Sequence, residues 1–277
     1  MSVDLLMITW NRFEYAKRTI DTLLSTSDEF RLFWWDNGSE DGVREYIDQL
    51  HDPRIYMKHK NDDNVRQAIP TRWFLAHSSS SIIGKLDDDT LVPDGWIKTI
   101  ASAVESDDKT GMVGCWTFWP EDFDRNANRA IAKVRQLGKH QLLWNISIGG
   151  TAFLVKRDLA LRYLVKDHDG NAFPIDREKM SVDGYLSGWY YPLILCEHMD
   201  DPRSAHCLSG RGDGKDVTAL SARVRGFKAN SEFLSWIKND ADEILKTSTH
   251  VQIIKHRLRY SVFGRGFFKA IRLLTGR

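Results

Sequence analysis

The sequence predicts an α/β protein in which a mostly parallel sheet is flanked by helices. Strand-like apolar runs alternate with helix-like runs from the first residues, and this alternation is typical of parallel sheets because each crossover needs a connecting element. Polar clusters follow three of the predicted strands, where such folds bind ligands. Of the 277 residues, 42% are hydrophobic, which is enough to bury a sizeable core.

The alternation is clearest in residues 1–119. Val3–Thr9 is a short apolar strand, after which Phe13, Ala16, Ile20 and Leu23 recur at helical spacing. The same criteria predict the other elements of this half, with strands at 31–35, 54–58, 82–86 and 112–118 and helices at 43–50, 64–77 and 94–106.

The second half is less regular. Residues 120–142 are charged and predicted to be irregular, whereas ordered structure is expected again over 142–155, followed by a helix at about 157–165. The predictions for the rest are a short helix followed by a strand within 182–196 and helices near 229–247 and 250–274. We therefore expect one domain over 1–215 and a C-terminal helical extension over 216–277.

Charge and cysteine content exclude several classes of protein. The formal net charge is +1, but residues 250–277 hold seven Lys or Arg and no acidic residue, so the body is mildly acidic and the end basic. This pattern argues against a nucleic-acid-binding protein. The three cysteines form no C-x-x-C pair, which disfavours a disulfide framework or zinc site. With no signal-like or membrane-spanning run, we expect a cytoplasmic protein.

Three polar clusters come directly after predicted strands. They are TWNR at 9–12, DNGSED at 36–41 and DDD at 87–89. Because the carboxyl ends of parallel strands meet at one edge of a sheet, all three clusters are expected at the same edge. This convergence predicts a ligand site there.

The aspartate run is a candidate cation site. Adjacent carboxylates repel one another and raise each other's pKa unless a cation offsets the charge. Oxygen ligands of this kind suit Mg²⁺ or Mn²⁺, which also keep water and phosphate oxygens as ligands. An EF-hand is excluded because Leu91 and Val92 stand where a ligand and a glycine are required. A solvated acidic turn is the alternative.

Four motifs together resemble the family-2 glycosyltransferases of the GT-A fold. They are TWNR at 9–12, WDNGSEDG at 35–42, KLDDDT at 85–90 and IGGTAFLVKRD at 148–158, in the family's order and spacing over about residues 3–200. The resemblance implies a Rossmann-like mixed sheet in which 1–119 bind a nucleotide sugar and 120–215 bind the acceptor. It also implies a nucleotide-diphosphate sugar, UDP-linked, as donor.

The resemblance also assigns roles to individual residues. Asp36 matches the aspartate that accepts a hydrogen bond from the base, and Asp89 matches the residue that binds the metal and diphosphate. His198 is expected to complete a Mn²⁺ or Mg²⁺ site. The positions expected to contact the nucleotide sugar are Thr9, Asn11, Arg12, Asp36, Asn37, Arg66, Lys85, Asp87 and Asp88.

The family's general base is the aspartate of a Glu-Asp pair, and Asp183 stands in its place. Val182 replaces the glutamate of the pair, and His198 follows at the family's spacing. This base would take the proton of the acceptor hydroxyl, and direct displacement at the anomeric carbon inverts the configuration without an enzyme nucleophile. Other candidates for the base are Asp176, Glu178 and Asp200.

Three further expectations concern the acceptor and the chain's end. Arg211 and Lys215 lie in a glycine-rich segment for which we weigh two roles, a lid that closes over the diphosphate and a simple linker. Trp116, Trp119 and Trp144 are candidate platforms for sugar rings, with core packing as the alternative. The basic amphipathic segment 250–277 is typical of a membrane-surface element, which would suit a glycan or lipid-linked glycan acceptor; a terminal helix packed on the domain is the alternative.

Two other functions remain open at this point. A sugar nucleotidyltransferase shares a related sheet, but the N-terminal TWNR lacks the glycine-rich loop expected there. A catalytically inactive sugar-nucleotide or glycan-binding protein is the second alternative, since the glutamate before Asp183 is missing. Retained turnover that depends on the base would exclude it.

Overall fold

The computed structural model describes residues 2–146, 148–165, 173–209 and 220–260. Its main sheet has nine strands, and two short strands form a separate pair. The strands are β1 Val3–Thr9, β2 Phe30–Asn37, β3 Ile55–Asn61, β4 Ile82–Leu86, β5 Thr90–Leu91, β6 Thr110–Gly114, β7 Val134–Leu137, β8 His140–Trp144, β9 Ala152–Lys156, β10 Leu186–Tyr191 and β11 Glu197–His198. The order across the sheet is β3-β2-β1-β4-β9-β6-β10-β8-β7, and β5 pairs with β11.

Strands β1, β2, β3, β4, β6 and β10 all run in one direction, which confirms the predicted mostly parallel sheet. Strand β9 lies antiparallel between β4 and β6, and β8 is antiparallel to both β10 and β7. The carboxyl ends of β1, β2 and β4 therefore meet at one edge, where Thr9 is in register with Asp36. This edge carries the three polar clusters.

Helices cover both faces of the sheet. They are α1 Phe13–Ser25, α2 Val43–Gln49, α3 Ala68–His77, α4 Trp96–Glu105, α5 Pro120–Asp124, α6 Ala127–Ile131, α7 Arg157–Arg162, α8 Arg177–Val182, α9 Leu220–Val224, α10 Asn230–Lys246 and α11 Thr249–Tyr260. No helix in these described ranges is both long and apolar enough to span a bilayer.

The core has two layers because alternate side chains of each strand point to opposite faces. Leu5 and Met7 of β1 pack with α1, α2 and α4 on one face, and Leu6 packs with α3, α7 and α8 on the other. Both faces of β1, β2 and β4 are thus buried, as expected for the inner strands of a parallel sheet, whereas the edge strand β3 alternates between half-buried and exposed residues.

Two local predictions were wrong. Residues 120–142 are not irregular, since they contain α5, α6, β7 and the first part of β8. The short helix predicted inside 182–196 is α8, which ends at Val182, so within that range only strand β10 follows it. It begins earlier because the Asp176 carboxylate accepts a hydrogen bond from the Lys179 backbone N–H, 2.8 Å away, and so caps its N-terminus.

The predicted C-terminal helices are confirmed as far as the description extends. α10 matches the expected 229–247, and α11 begins at Thr249. The remainder of the tail, 261–277, lies outside the described residues, as do Arg211 and Lys215.

Candidate active site

A cavity of about 960 Å³ opens at the carboxyl edge of the sheet. Its lining combines residues from the ends of β1 and β4 with side chains of α10. We call it the donor cavity. Its polar lining includes Thr9, Arg12, Asn37, Arg66, Lys85, Asp87, Asp88, Asp89, Arg177, His198, Asp201 and Asp240.

The aspartate run forms a tightly held turn between β4 and β5. The Thr19 hydroxyl of α1 donates a hydrogen bond to the Asp88 carbonyl at 3.0 Å and accepts one from the Thr90 N–H at 3.0 Å. The Met199 N–H donates to the Asp89 carbonyl at 2.8 Å. The turn is thereby fixed on both sides, so its carboxylates are not a solvated surface feature.

Arg12 compensates the negative charge of this turn. Its Nη1 lies 2.6 Å from Oδ2 of Asp89, its Nη2 lies 3.2 Å from Oδ1 of Asp88, and Nη1 lies 3.8 Å from Oδ2 of Asp200. All three carboxylates are buried. Buried charges persist only when they are paired, so Arg12 is required for this cluster to fold ionised.

Adjacent carboxyl groups titrate differently here. Burial raises the pKa of Asp88 to about 6, against the opposing charge of Arg12. Burial also acts on Asp89, but the charges of Arg12, His198 and Lys85 outweigh it and lower the pKa of that carboxyl. Asp89 therefore stays ionised at neutral pH, as a metal ligand must be.

His198 stands beside Asp89, where the sequence placed the metal site. Its Nε2 lies 3.4 Å from Oδ2 of Asp89, because β11 pairs with β5 and carries His198 to the end of the aspartate turn. In the described ranges no group of three or more His, Cys, Asp or Glu side chains is assembled as a metal centre. The two donors fit an ion that takes its remaining ligands from phosphate and water.

Three cationic side chains face the same cavity. Lys85 is buried beside Asp87 and contacts the Gly150 carbonyl at 3.4 Å, and burial lowers its pKa to about 8. Arg66 has a left-handed backbone (φ 61°), and its carbonyl accepts a hydrogen bond from Asn37 Nδ2 at 3.0 Å. Arg177, at the start of α8, was not predicted. Together they can attract an anionic ligand.

The Asp36 carboxylate is held in place by hydrogen bonds from other residues of the protein. Its buried carboxylate accepts hydrogen bonds from the Thr9 hydroxyl (3.1 Å), the Ser39 N–H (3.0 Å) and Arg44 Nε (2.8 Å). It is not among the residues that line the donor cavity, whereas its neighbour Asn37 is. The predicted contact of Asp36 with a base stays a prediction.

Asn11 also makes its hydrogen bonds to other residues of the protein. Its backbone is left-handed (φ 47°), its N–H donates to the Ser39 hydroxyl at 3.1 Å, and its Oδ1 accepts from the Glu40 N–H at 2.8 Å. It joins the loop after β1 to the loop after β2, beside the cavity, without lining it.

The structure does not bring Asp183 to the donor cavity. Asp183 follows α8 at the amino end of β10, and β10 runs parallel to β6. Its carboxylate accepts a hydrogen bond from the Tyr163 hydroxyl at 2.8 Å and pairs with Lys179. Because the cavity lies at the carboxyl ends of the strands, the role of base stays a prediction that this geometry does not support.

The tryptophans predicted as sugar platforms have other places. Trp116 is fully buried in the core against Trp189, so that expectation was wrong for it. Trp119 lies under the guanidinium of Arg203, and Trp144 lines a different cavity. The tryptophans that do line the donor cavity are Trp10 and Trp236.

One stripe of α10 lines the same cavity as the aspartate turn. It consists of Phe233, Trp236, Ile237, Asp240 and Ile244, spaced as one helical face. Asp240 is its one acidic member. Burial raises the pKa of Asp240, against the charge of Arg225. The sequence analysis missed it because an isolated acid on an amphipathic helix resembles a solvated position.

A family model matches this chain over residues 4–164, that of Glycosyl transferase family 2. The chain therefore belongs to that family, as its motifs indicated. A search of curated proteins finds no significant match.

Solved structures of similar fold include a mannosyltransferase and a protein in complex with a nucleotide sugar. A mannosyltransferase from Pyrobaculum calidifontis, PcManGT in complex with GDP-Man and Mn²⁺, is 18% identical with a TM-score of 0.54, covering 99% of this chain and 80% of its own. TarS 1–349 of S. aureus in complex with UDP-GlcNAc is 10% identical with a TM-score of 0.53, covering 94% and 74%. At such identities the likeness shows the GT-A fold, and with the family match it makes this protein a glycosyltransferase.

Proposed function

We propose that this glycosyltransferase is metal-dependent and inverting, and moves a sugar from a UDP-linked donor to a hydroxyl of a cell-surface glycan or glycolipid. The observation that carries the proposal is the placement of the aspartate turn, His198 and three cationic side chains around one cavity. The neighbours in complex with GDP-Man and with UDP-GlcNAc support a nucleotide-sugar donor.

Asp89 and His198 would hold the metal ion, Mn²⁺ or Mg²⁺. The chemistry that such an ion supplies is Lewis-acid stabilisation of the negative charge on the departing diphosphate. Lys85, Arg66 and Arg177 add positive charge along the same cavity, and Arg12 keeps the carboxylates in place. Asp87, Asp88, Thr9 and Asn37 line the space left for the sugar and nucleoside.

Asp240 is the carboxylate that we propose as proton acceptor. It faces the cavity from α10, and within the described residues no hydrogen bond or ion pair occupies its carboxylate. A base with a raised pKa retains more affinity for the proton of an acceptor hydroxyl. Asp183, the position indicated by resemblance, lies at the other edge of the sheet.

Calorimetric titration with UDP, GDP and dTDP, with and without Mn²⁺, tests the donor site. We expect one nucleotide to bind only with Mn²⁺, and Asp89→Asn to abolish that binding because the ion loses its carboxylate ligand. Asp94→Asn is a matched control, since Asp94 is an aspartate outside the cavity that contacts Ser27. If no nucleotide binds under either condition, the proposal fails.

The position of Asp183 keeps one alternative open, a chain that binds a nucleotide sugar without transferring it. Turnover separates the two functions. Release of nucleotide from a panel of UDP- and GDP-sugars, at a rate increased by an oligosaccharide acceptor, is expected of the enzyme. Tight Mn²⁺-dependent binding with no acceptor-stimulated release would favour the binding protein.

A further inference from the structure

A second cavity, of about 280 Å³, lies on the far side of the C-terminal turn of α10. Ile244 lines the donor cavity, while the next residues, Leu245–Thr249, line this one. The other walls come from the end of α6, from β7 and from Trp144. We call it the basic cleft.

Within the part of the chain that the structure describes, the basic cleft is lined by five basic side chains and by no carboxylate. They are Arg129, Lys133, Arg135, Lys246 and His250. Among the described residues, only Lys246 of this set has a carboxylate within ion-pair distance, Asp242 at 2.9 Å. The N-terminus of the twelve-residue helix α11 also begins here, at Thr249, and helix N-termini favour anions.

Lys133 shows that the positive charge is built into the fold. Its side chain is buried, and Nζ donates hydrogen bonds to the Ile244 carbonyl at 2.5 Å and the Thr247 carbonyl at 3.2 Å. Burial lowers the pKa of this amine to about 8. An anion bound in the cleft would offset that cost, which no carboxylate lining the cleft offsets.

Trp144 and Arg135 give the cleft its shape. The guanidinium of Arg135 lies 5.1 Å from the centre of the Trp144 ring, and the His250 ring meets the same indole edge-on at 4.7 Å. Arg135 Nη1 donates to the Val134 and Ala132 carbonyls, which leaves its Nη2 and Nε for a ligand. A planar guanidinium held in this way suits a phosphate group.

An apolar stripe extends from the cleft along α11. Val251, Ile254 and Leu258 are 48%, 57% and 64% exposed and follow one another at helical spacing. Lys255 and Arg257 flank the stripe, and α11 carries no acidic residue. Exposed aliphatic side chains beside basic ones are typical of helices that lie in the headgroup layer of a membrane.

We propose that the basic cleft binds the phosphate of an anionic phospholipid at a bilayer surface, with the α11 stripe inserted beside it. The proposal extends the membrane association predicted from the tail by adding a built site on the domain itself. It does not depend on sugar transfer, so lipid binding can fail while the enzyme works, and the reverse.

Co-sedimentation of the full-length chain with vesicles tests it. Vesicles of phosphatidylcholine alone are compared with vesicles that contain 30% phosphatidylglycerol. The double variant Arg129→Gln/Arg135→Gln is expected to bind the anionic vesicles about 30-fold more weakly, as each basic residue near the surface contributes about 1 kcal/mol. Mn²⁺-dependent nucleotide binding is measured in parallel and should not change.

The matched control is Arg18→Gln/Lys98→Gln, which removes the same charge from exposed positions on α1 and α4. An equal loss in the control would overturn the proposal, because net charge alone would then explain binding. Equal binding of the native chain to neutral and anionic vesicles would also overturn it. Stabilisation by inorganic phosphate that depends on Arg129 and Arg135, without vesicle binding, would reassign the cleft to a soluble phosphate ligand.

Discussion

The donor cavity and the basic cleft lie on either side of α10 and treat buried charge in opposite ways. In the donor cavity, Arg12 contacts Asp88, Asp89 and Asp200, so the chain supplies its own counter-ion. In the basic cleft, Lys133 and its neighbours face no carboxylate among the lining residues that the structure describes. The acidic cluster is therefore neutralised by the protein before any ligand binds. The positive charge of the basic cleft is not neutralised in this way, which indicates that the cleft binds an anionic ligand.

The largest effect is expected from Asp240, on the α10 wall of the donor cavity. Asp240→Asn should lower kcat by about 10²–10⁴, the usual contribution of a general base, with little change in Mn²⁺-dependent nucleotide binding. Asp183→Asn should leave kcat within a few-fold of the native value. Steady-state kinetics of both variants, with Glu243→Gln of the same helix as control, provide the measurement.

The opposite ranking of these two variants would contradict the assignment. If Asp183→Asn alone abolished turnover, the base would be Asp183, as the family resemblance implies, and not Asp240, as the structure suggests. The donor cavity would then have to rearrange before reaction.

Arg12→Met should be the most destabilising change in the donor cavity. It removes the cation that contacts all three buried carboxylates, and breaking such a cluster costs about 3–5 kcal/mol in the free energy of unfolding. Urea unfolding measures the loss, with Arg18→Met as an exposed control. Mn²⁺ should recover more stability in Arg12→Met than in the native chain, since the ion replaces the missing charge. A loss below about 1 kcal/mol would show that the cluster is not held by Arg12.

Lys133 gives the cleft a pH signature. Its folded-state pKa of about 8 lies below the ordinary 10.5, so between these values the unfolded chain holds a proton that the folded chain has lost. The contribution of Lys133 to the free energy of unfolding therefore rises with pH, by at most about 1.4 kcal/mol per pH unit. Urea unfolding at pH 7 to 10 measures this rise. We expect the rise to disappear in Lys133→Met and to persist in Lys139→Met, a substitution at an exposed turn.

The smallest effect is expected at Lys246, a cleft cation that has a carboxylate partner. Lys246 and Asp242 form an exposed pair at i and i+4, worth roughly 0.3–0.5 kcal/mol. Lys246→Ala should change the free energy of unfolding by no more than this, measured by the same urea titration. A larger loss would mean that the cleft carries strain that the geometry does not show.

The sequence by itself determined the sheet and the edge that carries the site. Val3–Thr9 and the later strands are predicted from local apolar runs. The carboxyl ends of parallel strands lie at the same edge of a sheet. The clusters around Thr9, Asp36 and Asp87 therefore share an edge, as predicted. His198 beside Asp89 was reached by resemblance, which carries long-range information that spacing lacks.

Only the tertiary structure decided which of these residues line the donor cavity. Asp183 and Asp240 are both acids next to or within helices, and nothing local distinguishes the one at the amino end of β10 from the one facing the cavity. In the same way, nothing local distinguishes Trp116, which is buried in the core, from Trp236, which lines the donor cavity. Burial and charge pairing depend on contacts between residues far apart in sequence, such as Lys133 with Ile244, and these form only when the whole chain has packed.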